Sequence, residues 1–378
     1  MLTQRHSLVS TTLGTSRELV SFHFGNAGNA HAGREKVYVQ ASLHADETPA
    51  MLTAWTLKQR LAALEAEGRM RGEVVLVPVA NPIGLSQHVL GQFLGRFEAN
   101  SGHNFNRNFP LPSAAALIER AGGRFSSADA AHNARVLRAA LVELLGETTA
   151  KNEFESLRLT LLTLASAADV VLDLHCSLEA TMHIYTSPAS WPAIEPLARH
   201  LHANGVLLAS DSGGQSFDEV HALLWNEVRG RLGDGIPLGA PNIAATIEHR
   251  GQRDVDYDTA AHDADAIVEY LIARGVIDGN AQDAPPLAQP ATPLAGSQQL
   301  TAPVSGIVVY RAKVGARLKA GDAVFDIVDP LTDAVTTVTT SNDGVFYMRR
   351  AIRFVYAGAP MGRVTGETPI RSGVLIGA

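Results

Sequence analysis

The sequence predicts an α/β fold with a mixed sheet and helices on both of its faces, followed by a small C-terminal all-β domain. From about residue 36 to 275, apolar runs bounded by turn residues alternate with helical patterns. Residues 279–299 are rich in Pro, Ala and Gln and almost uncharged, which is typical of a linker. Short β runs with frequent turn signals follow. Since a single core rarely grows beyond ~250–300 residues, we expect an α/β domain at 1–278, a linker at 279–300 and a β domain at 301–378.

Within the α/β region the predicted elements follow one another in a regular order. Residues 36–42 (KVYVQAS) form a buried strand, and apolar residues recur at near-helical spacing just after it. The stretch 81–113 has no clear period, and a loop that long inside a compact domain is usually functional. The other predicted strands are 74–80, 169–174, 180–186, 205–209 and 243–248, and the other predicted helices are about 128–146, 152–166, 191–203, 217–230 and 256–274.

Composition excludes several classes of partner. With 46% apolar and 18% charged residues the chain is an ordinary globular protein, and its net charge of −7 with no dense basic stretch argues against nucleic acid. The single cysteine, Cys176, excludes an intramolecular disulfide and fits a reducing compartment. No apolar run approaches the ~20 residues of a membrane span, and the N-terminus lacks the apolar core of a signal peptide. We expect a cytoplasmic protein without a membrane partner; its oligomeric state is open, a homo-oligomer included.

The first chemical signal is His44-Ala45-Asp46-Glu47, directly after a buried strand. An H-x-x-E pair at a strand-to-helix turn can place an imidazole and a carboxylate on one ion, and His₂Glu is a usual ligand set of catalytic zinc. Taken alone the pair is weak evidence, and a surface histidine with an acid at a helix N-terminus is the better explanation of it.

The second signal is His175, at the end of the apolar strand VVLDLHCS. Open α/β sheets bind ligands at the carboxyl ends of their strands, although a hydrogen-bonded core histidine fits the same pattern. Asp173 shares the strand face of His175 and could orient its ring, as metal-bound histidines generally require. Cys176 is better explained as a small buried apolar residue than as a fourth ligand.

The third signal is Glu248, which closes the apolar strand IAATIE. A carboxylate there is costly unless it is paired or functional. At a sheet edge beside a metal it could accept a proton from water, and the alternative is a salt bridge with Arg250 or Arg253.

The fourth signal lies in the long loop, where Arg96 follows a glycine and Arg107 stands between two asparagines. A guanidinium matches a carboxylate bidentately, and Asn106 can add a hydrogen bond. Isolated loop arginines are usually solvated, so this loop indicates a substrate site only in combination with the other motifs.

Taken in order, H-x-x-E, N-R-x-F-P, D-L-H and T-I-E resemble the succinylglutamate desuccinylase/aspartoacylase family, whose fold is zinc carboxypeptidase-like. The resemblance covers about residues 36–275, and the terminal β domain is also similar to that of the family. It implies that His44, Glu47 and His175 hold one Zn²⁺ per chain. The other implied roles are a general base at Glu248, an α-carboxylate grip at Asn106 and Arg107, and an arginine facing the scissile carbonyl at Arg96.

Two positions depart from the pattern of the family. Ala45 stands where the family usually has glycine, and Glu248 is followed by His249-Arg250-Gly251 in place of small residues. Neither change removes a catalytic group.

The resemblance implies zinc-dependent hydrolysis of the amide bond of a small N-acyl amino acid. A metallocarboxypeptidase acting on peptides is one alternative, and a non-catalytic zinc- or ligand-binding homologue is another. The C-terminal region also resembles the hammerhead sandwich of biotinyl and lipoyl domains. Its candidate hairpin, DPLTDAV, has no lysine to carry a cofactor, so we expect it to be a structural cap.

Overall fold

The computed structural model describes residues 1–25 and 34–377. Among them, nine strands form one mixed sheet in the order β1-β2-β4-β3-β7-β11-β9-β10-β12. The strands β3, β4, β7 and β11 run parallel, while β9, β10 and β12 run antiparallel to β11. The strands up to this point are β1 (Leu2–Ser7), β2 (Glu18–Phe24), β3 (Lys36–Ala41), β4 (Glu73–Val77), β5 (His88–Val89), β6 (Gln92–Phe93), β7 (Val170–Ser177), β8 (Glu179–Ala180), β9 (His183–Thr186), β10 (Gly205–Leu208), β11 (Ile243–Gly251) and β12 (Thr292–Pro293).

Helices cover both faces of this sheet, as the sequence predicts. One core packs α1, α6 and α8 against the sheet, and the other packs α3, α4, α5 and α7 against the opposite face. Within the described ranges, no helix combines the length and the apolar character that a bilayer crossing requires. The helices are α1 (Thr48–Ala66), α2 (Pro82–Leu85), α3 (Ala114–Ala121), α4 (Ala130–Glu147), α5 (Glu153–Ser166), α6 (Trp191–His200), α7 (Val220–Leu232) and α8 (Tyr257–Ala273).

Three of the nine strands of the sheet are absent from the six that the sequence predicts for the α/β region. β1 and β2 precede the first predicted strand, and β1 is exposed along almost its whole length, so it shows no buried face to detect. β12 has two residues and lies within the predicted linker, where it pairs with β10 at the edge of the sheet. The prediction of a mixed α/β fold with a β region after it is confirmed, with three strands more than the six predicted.

The C-terminal region contains two antiparallel sheets around their own apolar core. The predicted hairpin is the β16–β17 pair, whose tip lacks a lysine. Strand β8 of the α/β region pairs with β18, so the two regions share a sheet. The strands are β13 (Gln298–Thr301), β14 (Gly306–Tyr310), β15 (Arg317–Leu318), β16 (Ala323–Val328), β17 (Val335–Thr339), β18 (Gly344–Arg349), β19 (Phe354–Val355) and β20 (Pro360–Val364).

Candidate functional site

Three neighbouring parallel strands bring the predicted residues to one edge of the sheet. His44 follows β3, His175 lies near the end of β7, and Glu248 lies directly opposite His175 on β11. Because parallel strands in register end together, residues far apart in sequence meet at this edge.

The turn between β3 and α1 places His44 and Glu47. Ser42 takes the left-handed conformation (φ 60°), and its hydroxyl donates to the carbonyl of Glu47 at 3.1 Å. Ala45 is not one of the left-handed residues of this turn, so alanine is tolerated where the family usually has glycine. Glu47 occupies the N-cap position of α1, yet its side chain makes no capping hydrogen bond.

The side chains of His44, Glu47 and His175 form one buried group. They are 3%, 1% and 2% exposed, which excludes the interpretation of His44 as a surface histidine. One ligand atom from each lies within 4.8 Å of the others, and these three residues could hold a metal ion. Cys176 is outside this group; burial raises the pKa of its thiol, which keeps it protonated.

The orientation of the two rings fits a metal ion. Each Nδ1 faces Glu47, at 2.9 Å from Oε1 for His44 and 2.7 Å from Oε2 for His175. Each Nε2 faces an acceptor: the oxygen of Asn104 lies 2.9 Å from His44, and a carboxylate oxygen of Asp173 lies 2.9 Å from His175. With the protons on Nε2, the Nδ1 lone pairs of both rings would point toward the carboxylate of Glu47. Such an arrangement is stable with a cation between the donors.

The charged side chains around His175 and Glu47 also favour a positive charge at this position. Burial opposes a charge on His175, but the carboxylates of Asp173 and Glu47 outweigh it and raise its pKa well above the usual range. Burial, and then the charge of Arg96, lowers the pKa of His44 to about 4. The surroundings of His175 and Glu47 thus favour positive charge.

Polar side chains outside the group contact the ligand rings. The oxygen of Asn104 also accepts from the backbone N–H of Asn106 at 2.8 Å, which sets the orientation of its amide. Asp173 is fully buried and accepts from Gln40 at 2.9 Å. The predicted proximity of Asp173 to the His175 ring is confirmed by their 2.9 Å contact.

Replacing Asp173 with asparagine should weaken zinc binding about 10- to 100-fold, the usual effect of losing an outer carboxylate partner. A competition titration against a zinc-binding dye measures it. Asp169→Asn is a matched control, because Asp169 precedes the same strand at its other end and pairs with Arg138. Unchanged zinc affinity in Asp173→Asn would show that Asp173 does not contribute to zinc binding.

Glu248 is not salt-bridged to either arginine that follows it. Arg250 and His249 instead bond to Asp263 of α8, each at 2.7 Å, which accounts for the unusual residues after Glu248. The β7–β11 register shifts between Glu248 and Gly251, and such bulges re-aim side chains near active sites. Among the described residues, the buried Oε2 of Glu248 has no hydrogen-bond partner. Burial, and then the charge of Glu47, raises the pKa of Glu248 to about 7.

Arg96 lies beside the buried group. It follows the β5–β6 ribbon, and its Nη2 donates to Oε1 of Glu47 at 2.9 Å. Its Nη1 lies 3.4 Å from Nε2 of His44. The side chain is about one-third exposed, so the rest of the guanidinium is open to a ligand.

Asn106 and Arg107 are held firmly in the long loop. The oxygen of Asn106 accepts from the backbone N–H of Phe217 at 2.8 Å. Arg107 donates to the carbonyl oxygens of Asn106 (2.7 Å) and Gly377 (2.8 Å). A side chain at Gly214 would meet Arg107, because an added Cβ would lie 2.8 Å from its Nε. These contacts fix the guanidinium in one position.

A cavity of about 720 Å³ joins these side chains. His44, Arg96, Asn106, Arg107, His175 and Glu248 line it, and Glu47 lies behind the two histidines. The C-terminal region supplies another wall through Gln299, Met348, Met361 and Arg363. The volume is within the usual range for small-molecule sites.

Several polar residues at the site were not predicted from the sequence. Asn104 carries no signal beyond its place in the asparagine-rich loop, and Asp218 and Glu219 lie at the start of a predicted helix. Burial, and then the charge of Asp218, raises the pKa of Glu219 to about 7. Arg363 belongs to a strand of the β region, whose position over the cavity is a tertiary feature that local sequence does not encode.

An α/β sheet thus presents a buried His-Glu-His group, which could hold a metal ion, at the edge of a large cavity. The family model described as "Succinylglutamate desuccinylase/Aspartoacylase catalytic domain" matches residues 34–271. The chain therefore belongs to the succinylglutamate desuccinylase/aspartoacylase family, a family of deacylases that act on small N-acyl amino acids.

Solved structures agree along almost the whole chain. A family protein from Shewanella amazonensis is 26% identical with a TM-score of 0.82, covering 97% of this chain and 98% of its own. A protein from Shewanella frigidimarina is 24% identical with a TM-score of 0.81, covering 97% of each chain. The product-bound ectoine utilization protein EutE (DoeB) from Ruegeria pomeroyi shares the fold at 14% identity and a TM-score of 0.66, over 97% of this chain and 94% of its own. No curated protein matches the sequence significantly.

Proposed function

We propose that this protein hydrolyses the amide bond of a small N-acyl amino acid, with one Zn²⁺ held by His44, Glu47 and His175. The observation that carries the proposal is the buried His-Glu-His group, whose two histidines line the same cavity as Glu248. Among the described residues, the buried Oε2 of Glu248 has no hydrogen-bond partner. When bound, zinc would supply Lewis-acid chemistry, polarising an acyl carbonyl and making water more acidic. The ligands and the candidate base are all present, which argues against a non-catalytic homologue.

Glu248 is the proposed general base. Its free Oε2 can accept a proton from the attacking water and return it to the leaving amine. Because the pKa of Glu248 is raised to about 7, both protonation states are accessible near neutral pH. The same carboxyl can therefore act as base and then as acid within one turnover.

Arg96 is the proposed stabiliser of the oxyanion that develops on the acyl carbonyl. Its contact with Glu47 keeps the guanidinium beside the buried group while part of it faces the cavity. A donor placed this way is typically worth ~10²–10³ in rate.

Arg107 and Asn106 are the proposed grip for the α-carboxylate of the amino acid. Arg107 is fixed by two backbone carbonyls, so little side-chain freedom is lost when it binds a carboxylate. Anchoring that end of the substrate would place the acyl group next to the metal ligands.

The C-terminal wall supports a deacylase of single amino acids over a peptidase. Met348, Met361 and Arg363 face the same cavity as His44 and His175, so the β region narrows the space beyond them. A wall rejects a longer substrate by steric clash, which discriminates strongly. We propose an α/β domain at 1–278, a linker at 279–300 and a β domain at 301–378, in which the β domain is the cap.

A panel of N-acetyl and N-succinyl amino acids and N-blocked dipeptides tests the function. We expect at least one N-acyl amino acid to be hydrolysed with a kcat/KM in the usual enzymatic range of ~10⁴ M⁻¹s⁻¹ or more, and dipeptides to be much poorer. Release of the free amino acid is the measured quantity. If a dipeptide is the better substrate, the carboxypeptidase interpretation replaces the deacylase.

A further inference from the structure

A second cavity, of about 640 Å³, adjoins the first one at Arg107, which lines both. Its other walls are formed by residues of the long loop, by the first turn of α5 and by Arg17. Of the described residues, His44, His175 and Glu248 line the first cavity and not the second. The second cavity is therefore separate from the proposed site of amide hydrolysis.

Arg158 of α5 places a buried positive charge against this second cavity. The residue is only 7% exposed, and the ring centroids of Phe109 and Phe154 lie 4.6 and 4.7 Å from its Cζ. Such cation–π contacts stabilise the charge but leave the N–H groups without acceptors. Nη2 donates to the carbonyl oxygen of Arg107 at 2.6 Å. Within residues 1–25 and 34–377, Nη1 makes no hydrogen bond and the buried Nε has no partner.

No carboxylate among the described residues forms a salt bridge with Arg158. Burial lowers the pKa of Arg158 to about 10, against the charge of Glu155, so the side chain remains charged at neutral pH. The three carboxylates of the cavity have other partners: Glu98 and Glu155 accept from backbone N–H groups, and Glu153 pairs with Arg17 at 2.6 Å. Because a buried charge without an ionic partner is costly, an anion from outside the protein would stabilise this position.

A second donor without an acceptor lines the same cavity. The side-chain oxygen of Asn104 contacts the ring of His44 and accepts from the backbone N–H of Asn106. Its buried Nδ2 has no hydrogen-bond partner in the part of the chain that the structure describes. Two donors without acceptors beside one cavity, one of them charged, indicate a ligand that offers oxygen acceptors and a negative charge.

We propose that the second cavity is a binding site for a small oxyanion, such as sulfate or a carboxylate, held by the guanidinium of Arg158. Nη1 donates to one oxygen of the anion in a charge-assisted hydrogen bond. Because Nη2 of Arg158 holds the carbonyl of Arg107, a bound anion stabilises the loop conformation that presents Arg107 to the first cavity. This effector site goes beyond the proposed hydrolysis and does not depend on it.

Titration with sodium sulfate tests the site, with sodium chloride at equal ionic strength as the reference. In the wild type the unfolding temperature should rise with sulfate along a saturable curve, because the anion binds the folded state. Sulfate also stabilises proteins through its exclusion from their surface, but that effect does not saturate and is shared by a variant. Arg158→Met should bind sulfate about tenfold or more weakly, the usual worth of a hydrogen bond to a charged group.

Arg135→Gln is the matched control, because Arg135 is an exposed arginine of α4 that lines neither cavity. It should keep the wild-type curve. Arg158→Lys replaces the Met variant if that variant does not fold, and it should also bind sulfate more weakly, since lysine lacks the planar fork. A parallel titration with sodium acetate distinguishes a tetrahedral oxyanion from a carboxylate. No saturable binding of either anion, or equal affinity in the wild type and the Arg158 variants, would overturn the proposal.

Amide hydrogen exchange of the wild type locates the anion without any variant. Sulfate should slow exchange in residues 98–101 and 152–155, which line the second cavity, and leave the segments around the His-Glu-His group unchanged. Absence of protection at 98–101 and 152–155, or protection confined to the segments around His44 and His175, would reject the role of Arg158. The measurement needs no substrate, so it decides the proposal even if the panel of N-acyl amino acids shows no hydrolysis.

Discussion

Replacing Glu248 with glutamine should lower kcat by about 100-fold or more while zinc stays bound. Glutamine keeps the size of the side chain but cannot accept a proton from water. The residue is well placed for that role, since Glu248 lines the cavity opposite His175 and, among the described residues, its buried Oε2 has no hydrogen-bond partner. Steady-state rates with the best N-acyl amino acid of the panel measure the effect.

Zinc content and thermal unfolding of the Glu248→Gln variant are the controls. Both should match the wild type, because Glu248 is not part of the His-Glu-His group and, among the described residues, its buried Oε2 has no hydrogen-bond partner. Turnover near the wild-type rate would exclude Glu248 as the base. The other carboxyl groups of the cavity, Asp218 and Glu219, would then be the candidates.

Replacing His175 with alanine should weaken zinc binding more than replacing Asp173 with asparagine does. It removes one of three ligands, so zinc affinity should fall by more than the ~10- to 100-fold expected for an outer partner. It also leaves Asp173 and Glu47 facing each other across a buried space without the imidazole between them. Elemental analysis after dialysis measures the retained metal, and circular dichroism checks the fold. Full zinc occupancy in the folded variant would exclude His175 from the site.

The positions of the metal-binding histidines and of the candidate base could be predicted because they depend on a simple rule. His44, His175 and Glu248 each follow or end an apolar strand, and neighbouring parallel strands carry such residues to a common edge. The sequence does not reveal that Nδ1 of both histidines turns toward Glu47, since this depends on Asn104 and Asp173 as outer partners. Those contacts join residues 60 positions apart in one case.

Other features could not be predicted for physical reasons. The exposed strand β1 has no buried face, and β12 is two residues long, so neither produces a period-2 pattern. The sequence places two candidate salt-bridge partners of Glu248, Arg250 and Arg253, close to it. Arg250 instead bonds to Asp263 of α8, because tertiary packing brings these two residues together. Arg363 reaches the cavity only because the C-terminal region packs over the sheet edge.

The most direct test of the account is hydrolysis of the best N-acyl amino acid as zinc is titrated into metal-free protein. We expect no turnover without metal, a linear rise, and a plateau at about one zinc per chain, in keeping with a single three-ligand catalytic site. The His175→Ala variant should stay inactive at that stoichiometry. Full turnover by the metal-free wild type, or equal restoration of the His175→Ala variant, would contradict a metal-dependent deacylase centred on His44, Glu47 and His175.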